Sequence, residues 1–169
     1  MESYDVVVIG SGPGGQRCAI QAAKLGKRVG IVERRHETGG VCINTGTIPS
    51  KTMKEAVLDL SGMRQRKLYG EEFAPRRRPT AQDLLARVQR VMTIERDLIQ
   101  QQLQRNGVAL LIGNGRFAAP HMVQVEDGGD VQTVQAANVC IAVGTVPGLP
   151  AIGISKPGMP SAPALNPPG

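Results

Sequence analysis

The chain opens on an apolar run with a single charged interruption, Tyr4-Asp5-Val6-Val7-Val8-Ile9. A strand with one wet face alternates apolar and polar residues, whereas a continuous β-branched run suits a strand covered on both faces of a parallel sheet. Glycines punctuate the run from Gly10 to Gly15. Ala19, Ile20, Ala22, Ala23 and Leu25 then form a helical face of small residues that stops at Gly26. Arg28-Val29-Gly30-Ile31-Val32-Glu33 reads as a second strand. Strand, glycine turn, helix and strand in about thirty residues begin a βαβ unit.

Pro49 and Ser50 open a second helix that runs to about Leu60, with its stop near Gly62. Residues 70–79 read as a Pro/Arg loop. Thr80, with Asp83 three positions on, suits a helix N-cap of the capping-box type. Leu84, Leu85, Val88, Val91, Met92, Ile94, Leu98, Ile99 and Leu103 then recur at helical spacing as far as Asn106-Gly107, with a charged face opposite for solvent. Beyond them the period becomes that of strands. Val108–Ile112, Gly115–Ala118, Met122–Glu126, Val131–Ala136 and Asn138–Val143 predict a small β-meander that returns to a last buried strand, Val139–Val143. After Val146 no period survives, and Pro147, Pro150, Pro157, Pro160, Pro163, Pro167 and Pro168 crowd the end of the chain. The expected division is a domain over 1–148 and a Pro/Gly-rich disordered tail over 149–169.

Composition narrows the function. The 169 residues carry a formal net charge of +6, but aromatic residues make up only 2%. Base-stacking platforms are therefore nearly absent, and no nucleic-acid partner is expected. Arg76-Arg77-Arg78, between two prolines, reads as a solvated loop. Three cysteines, Cys18, Cys42 and Cys140, do not make a secreted disulfide framework, so a reducing cytoplasm is expected. No apolar run is long enough to span a bilayer, and no membrane partner is expected. His36 and His121 have no second ligand at metal spacing, so no metal site is expected.

Gly10-Ser11-Gly12-Pro13-Gly14-Gly15 fits G-x-G-x-x-G. The first glycine allows the tight turn, the second lets backbone approach a pyrophosphate, and the third allows close helix–sheet packing. The phosphates then lie at a helix N-terminus, where free N–H groups favour anions. Glu33, eighteen residues after Gly15, is placed to accept from both hydroxyls of a ribose. The pattern does not separate FAD from NAD. In Gly39-Gly40-Val41-Cys42-Ile43-Asn44-Thr45-Gly46-Thr47-Ile48-Pro49-Ser50-Lys51, Cys42 is followed five positions on by Thr47. A redox disulfide needs two thiols, and a threonine hydroxyl supplies neither a disulfide nor a low-pKa thiolate. Cys42 in isolation reads as a buried structural cysteine, and Lys51 on spacing alone reads as a surface lysine. A cation beside a flavin would stabilise negative charge on the reduced ring.

Together, Tyr4–Gly15, Val32-Glu33-Arg34, the Gly39–Lys51 segment, Gly113–Phe117 and Ile141–Thr145 resemble the pyridine nucleotide-disulfide oxidoreductase family, over about residues 3–148. The resemblance implies an α/β, Rossmann-like FAD-binding domain with a parallel sheet, a long helix and a small β-meander, incomplete relative to the family. It implies FAD held through Gly10, Gly12, Gly14 and Gly15, with Glu33 and Arg34 on the adenosine side. Gly39, Gly40, Val41 and Cys42 would line the path to the isoalloxazine, with Lys51 beside the ring. Gly115 would approach the adenine side, and Gly144 and Thr145 would form a second contacting strand end. Val143 stands where the family has a threonine. With Thr47 replacing the second redox cysteine, the catalytic set is incomplete, and the likeness is to the Si-specific transhydrogenase branch. Those members are cytoplasmic and exchange hydride between NADPH and NAD+ through FAD. A dihydrolipoamide-dehydrogenase-like flavoprotein without its dithiol, and a non-catalytic FAD-binding module, are the alternatives. Family members are homodimers. The sequence continues into neither a second nucleotide unit nor the family's interface domain, so an N-terminal fragment, inactive alone, is expected.

Overall fold

A computed structural model describes residues 1–62, 70 and 80–145. The expected Arg76–Arg78 loop and the 149–169 tail lie outside the described residues. The elements run β1 (Glu2–Ile9), α1 (Pro13–Lys24), β2 (Val29–Glu33), α2 (Gly40–Asn44), α3 (Thr47–Leu60), α4 (Ala81–Arg105), β3 (Ala109–Ile112), β4 (Asn114–Ala119), β5 (Met122–Asp127) and β6 (Asp130–Ile141). All six strands form one sheet in the order β3-β2-β1-β6-β5-β4. β3, β2, β1 and β6 are mutually parallel, while β4 and β5 turn antiparallel at the end.

The apolar run Val6–Ile9 at the end of β1 has a direct cause. Successive residues of a strand point to opposite faces. Val8 joins Ile31, Ala19, Ile99 and Leu103 on the face covered by α1 and α4. Val7 and Ile9 join Val32, Val123, Val125 and Val134 in the cluster on the opposite face, to which β5 and β6 contribute. Both faces are dry, so neither tolerates a polar position. The expected α/β architecture is the one observed.

α4 begins where the sequence places it. Thr80 Oγ1 accepts from the Asp83 amide at 3.2 Å and Asp83 Oδ2 accepts from the Thr80 amide at 2.8 Å, a reciprocal capping box. Its apolar stripe is only partly used. Val88, Ile99 and Leu103 are buried, whereas Leu85, Ile94 and Leu98 are exposed.

Two strand expectations are corrected. Val131–Ala136 and Asn138–Val143 are one strand, β6, whose first half pairs antiparallel with β5 and whose second half pairs parallel with β1. Ala137 and Asn138 do not break it, because β1 takes up the pairing where β5 ends. The last segment is not buried either: Ile141 and Val143 are each 65% exposed. α2 was not anticipated, and α3 starts at Thr47, two residues before Pro49. Proline is tolerated there because the first helical turn needs no intrahelical N–H donor.

Candidate functional site

A cleft of about 280 Å³ lies at the carboxyl ends of β1 and β2, close to the lower limit for small-molecule sites. Ligands of open α/β sheets bind at this end. Gly10, Ser11, Gly12 and Pro13 form its floor, and Glu33, Arg34, Arg35 and Glu37 follow from β2. Gly40, Val41, Cys42 and Asn44 line it from α2. Gly113, Asn114 and Gly115 come from the β3–β4 turn, and Ala142 through Thr145 from the end of β6.

The glycine turn is shaped by close backbone approach. Gly10 has φ +107°, and a Cβ there would overlap the Ala142 carbonyl oxygen. A Cβ on Gly15 would overlap the Gly10 carbonyl oxygen, so the first turn of α1 packs directly on the end of β1. Gly12, by contrast, faces open space. It is the N-cap of α1, it offers no side-chain cap, and the first turn holds no acidic residue. Among the described residues no side chain caps that helix end and its first turn carries no acid, so the residues present fit a pyrophosphate.

Glu33 is buried at the end of β2, 7% exposed. Its Oε2 accepts from the Ser11 amide at 3.0 Å and from the Ser11 hydroxyl at 2.5 Å, and its Oε1 accepts from the Arg35 amide at 3.1 Å. A carboxylate offers about four acceptor sites. In this arrangement one remains, on Oε1, where the sequence suggested room for two ribose hydroxyls. Ser11 Oγ also accepts from the Gly39 amide at 3.1 Å. Asn44 Nδ2 donates to the carbonyls of Thr38 and Gly40 at 3.2 and 3.0 Å, and Arg96 Nε on α4 donates to Asn44 Oδ1 at 2.8 Å.

The residues singled out from the sequence divide. Gly10, Gly12, Glu33, Arg34, Gly40, Val41, Cys42, Gly115, Gly144 and Thr145 line the cleft. Gly14, Gly15, Gly39, Thr47 and Lys51 are not among its lining residues. Gly15 and Gly39 are buried behind it, and Thr47 and Lys51 are exposed on α3. Sequence reasoning missed Ser11, Asn44 and Arg96. Only Ser11, inside the glycine motif, carried a signal, since a hydroxyl there can reach the carboxylate that the same motif calls for. Cys18 and Cys140, both free, meet between α1 and β6. Burial, and then the hydrogen bond with Cys140, push the Cys18 thiol up from its ordinary pKa. Among the described residues no helix is long and apolar enough to cross a membrane.

The sequence profile of the pyridine nucleotide-disulphide oxidoreductase family matches residues 4–162. The chain belongs to that family. Soluble pyridine nucleotide transhydrogenases of Mycobacterium bovis and Mycobacterium tuberculosis are each 55% identical over 152 residues, 89% of this chain and 32% of theirs. The Klebsiella pneumoniae protein of the same name is 38% identical over 149 residues, 88% of this chain and 32% of its own. The chain therefore spans about a third of the length of these relatives. Among solved structures, the Cu(II) complex of the HOCl-induced flavoprotein disulfide reductase RclA from Escherichia coli superposes with a TM-score of 0.70 at 24% identity. That match covers 92% of this chain and 32% of the reductase, and at that identity it speaks for the fold. This family member thus shares its α/β framework with a flavoprotein, while Thr47 stands where the resemblance leads one to expect a second redox cysteine.

Proposed function

We propose that this chain is the FAD-binding part of a soluble pyridine nucleotide transhydrogenase, which exchanges hydride between NADPH and NAD+ in the cytoplasm. The observation that carries the reading is the pairing of a cleft suited to a dinucleotide with Cys42/Thr47 in place of a dithiol. A disulfide reductase needs both sulfurs. Hydride exchange between two nicotinamides needs neither. The names of the relatives support the same branch.

FAD supplies the two-electron carrier that takes hydride from one nicotinamide and returns it to another. The residues of this chain bind and orient it. The first-turn N–H groups of α1, with Gly12 and Gly14, would hold the pyrophosphate. Glu33, through its remaining acceptor site, would hold a ribose hydroxyl, with Arg34 beside it and Gly115 opening space for the adenine side. Gly40, Val41 and Cys42 would carry the cleft toward the ring, and Gly144 and Thr145 would close its far wall. Gly15 and Gly39 act from behind by placing the helix and the α2 turn. Lys51 and Thr47 would reach the ring only when α3 is brought toward it. The nicotinamide site and homodimer interface that the resemblance implies would be carried by the roughly two thirds of the relatives' length outside the match.

The test is the visible spectrum of the 169-residue protein after incubation with FAD and desalting. A retained, protein-perturbed flavin band supports the reading, and a folded protein that leaves all flavin behind sinks it. Because the chain spans a third of its relatives, no NADPH-to-NAD+ exchange is expected from it alone. Steady turnover by the purified chain would overturn that part. The exposure of Thr47 and Lys51 favours a second reading, a non-catalytic FAD-binding module. It predicts retained flavin that NADPH never reduces, even in a frame extended to the relatives' length.

A further inference from the structure

We propose that Ser11 is a positioning residue of the cofactor site, whose hydroxyl orients the Glu33 carboxylate and ties it to the Gly39–Gly40 turn. The proposal rests on the reading of the cleft as a dinucleotide site. Three segments that the chain keeps far apart meet at this one hydroxyl. It lies in the glycine turn after β1, donates to Glu33 at the end of β2, and accepts from Gly39 just before α2. Ser11 is fully buried, so water replaces none of these contacts. Its own carbonyl is held by Gln16 Nε2 at 2.6 Å, which pins the serine from the α1 side.

The consequence is a choice between the two oxygens of Glu33. Ser11 saturates Oε2 with two donors and thereby turns Oε1, with its single free acceptor site, to a ligand. The same hydroxyl fixes the Gly39 amide. A Cβ on the next residue, Gly40, would come within 2.8 Å of Gly12 Cα, so the α2 turn and the phosphate-facing glycine are in contact. Loss of the hydroxyl leaves the Gly39 amide buried without its acceptor and lets the carboxylate rotate. Buried groups left unpaired are costly, which gives the effect its expected size.

Amide exchange in the ligand-free protein tests the positioning role directly. In Ser11→Ala the Arg35 amide, which Ser11 does not touch, should exchange roughly tenfold faster, because its Glu33 partner loses the hydroxyl and is held on Oε2 by the residue-11 amide alone. An unchanged Arg35 amide in a folded S11A protein would overturn the proposal. Should S11A not fold, Glu33→Gln reads the link from its other end. The Gly39 amide must then exchange faster through Ser11, and an unchanged Gly39 amide overturns the proposal equally. FAD titration of S11A, Glu33→Ala and the double variant then tests the consequence for binding. S11A should weaken FAD roughly tenfold alone and less than about twofold in the E33A background. Additive losses would show that Ser11 does not act through Glu33, against the proposal. A wild-type protein that binds no FAD, while Arg35 still responds to S11A, would remove the cofactor reading and leave the positioning of Glu33 standing.

Discussion

The two halves of the cleft differ in how completely the chain builds them. Around the glycine turn the supporting positions are determined by neighbours: Gly15 by the Gly10 carbonyl, Gly10 by Ala142, Glu33 by Ser11 and Arg35, while Gly12 is left open. Around the Cys42–Lys51 segment little is. Val41 is 53% exposed and Thr47 and Lys51 lie on the outside of α3, while Ile43 packs with Ile99 and Leu103 of α4 and Arg96 donates to Asn44 beside them. The first half is closed around its own backbone and the Glu33 carboxylate. The second presents Val41, Thr47 and Lys51 outward. On the proposed reading, the first half would hold the nucleotide by local geometry, and the second carries the residues assigned to the ring.

The largest expected effect breaks the closed half. Gly15→Val drives a branched side chain into backbone that cannot move aside, and should lower stability by about 3 kcal/mol or more and abolish FAD retention. Denaturant melts and the desalted spectrum measure both. A folded, flavin-retaining G15V protein would mean that α1 is not seated as described. Next comes Glu33→Ala, which strips the Ser11 hydroxyl and amide of their buried acceptor and should cost about 2 kcal/mol in the same melts.

A third test uses pH, and probes the opposite end of β1. Burial, and then the hydrogen bond to Glu2, raise the Tyr4 phenol to about 12, with Arg28 over its ring pulling slightly the other way. The folded state thus favours the neutral phenol. That stability is full below the unfolded pKa of about 10 and is lost as pH rises toward 12. Alkaline denaturation should steepen in that window for the native sequence and flatten in Tyr4→Phe. Equal slopes in the two proteins would show that Tyr4 is not held neutral by its surroundings.

The smallest effects belong to the open half. Lys51→Ala and Thr47→Cys should each shift stability by no more than about 0.5 kcal/mol, as exposed substitutions do, and leave FAD retention unchanged. A loss as large as that of Glu33→Ala would erase the contrast between the halves.

Much of this was legible in the sequence, and the legible parts are local. The apolar run Val6–Ile9, the glycine motif, the Thr80/Asp83 capping box and the periodic helix behind it are short-range signals. Backbone sterics and side-chain period act within a few residues, so one chain suffices to read them. Local rules also limited the reading. They divided β6 in two at Ala137-Asn138, because the pairing that carries the strand through comes from β1. They buried Ile141 by its apolar character, although no described element covers it.

What the sequence determined by itself is the βαβ framework, the family and the carboxylate at the end of β2. What only the tertiary structure decided is how that carboxylate is used. Ser11 meets Glu33 and Gly39 across 22 and 28 positions of chain, and Arg96 meets Asn44 across 52. Such contacts follow from the packing of β1, β2, α2 and α4 around one sheet. The motif hints that a hydroxyl at Ser11 can reach the carboxylate, but which oxygen it takes and that it also meets Gly39 are settled only when these elements pack together.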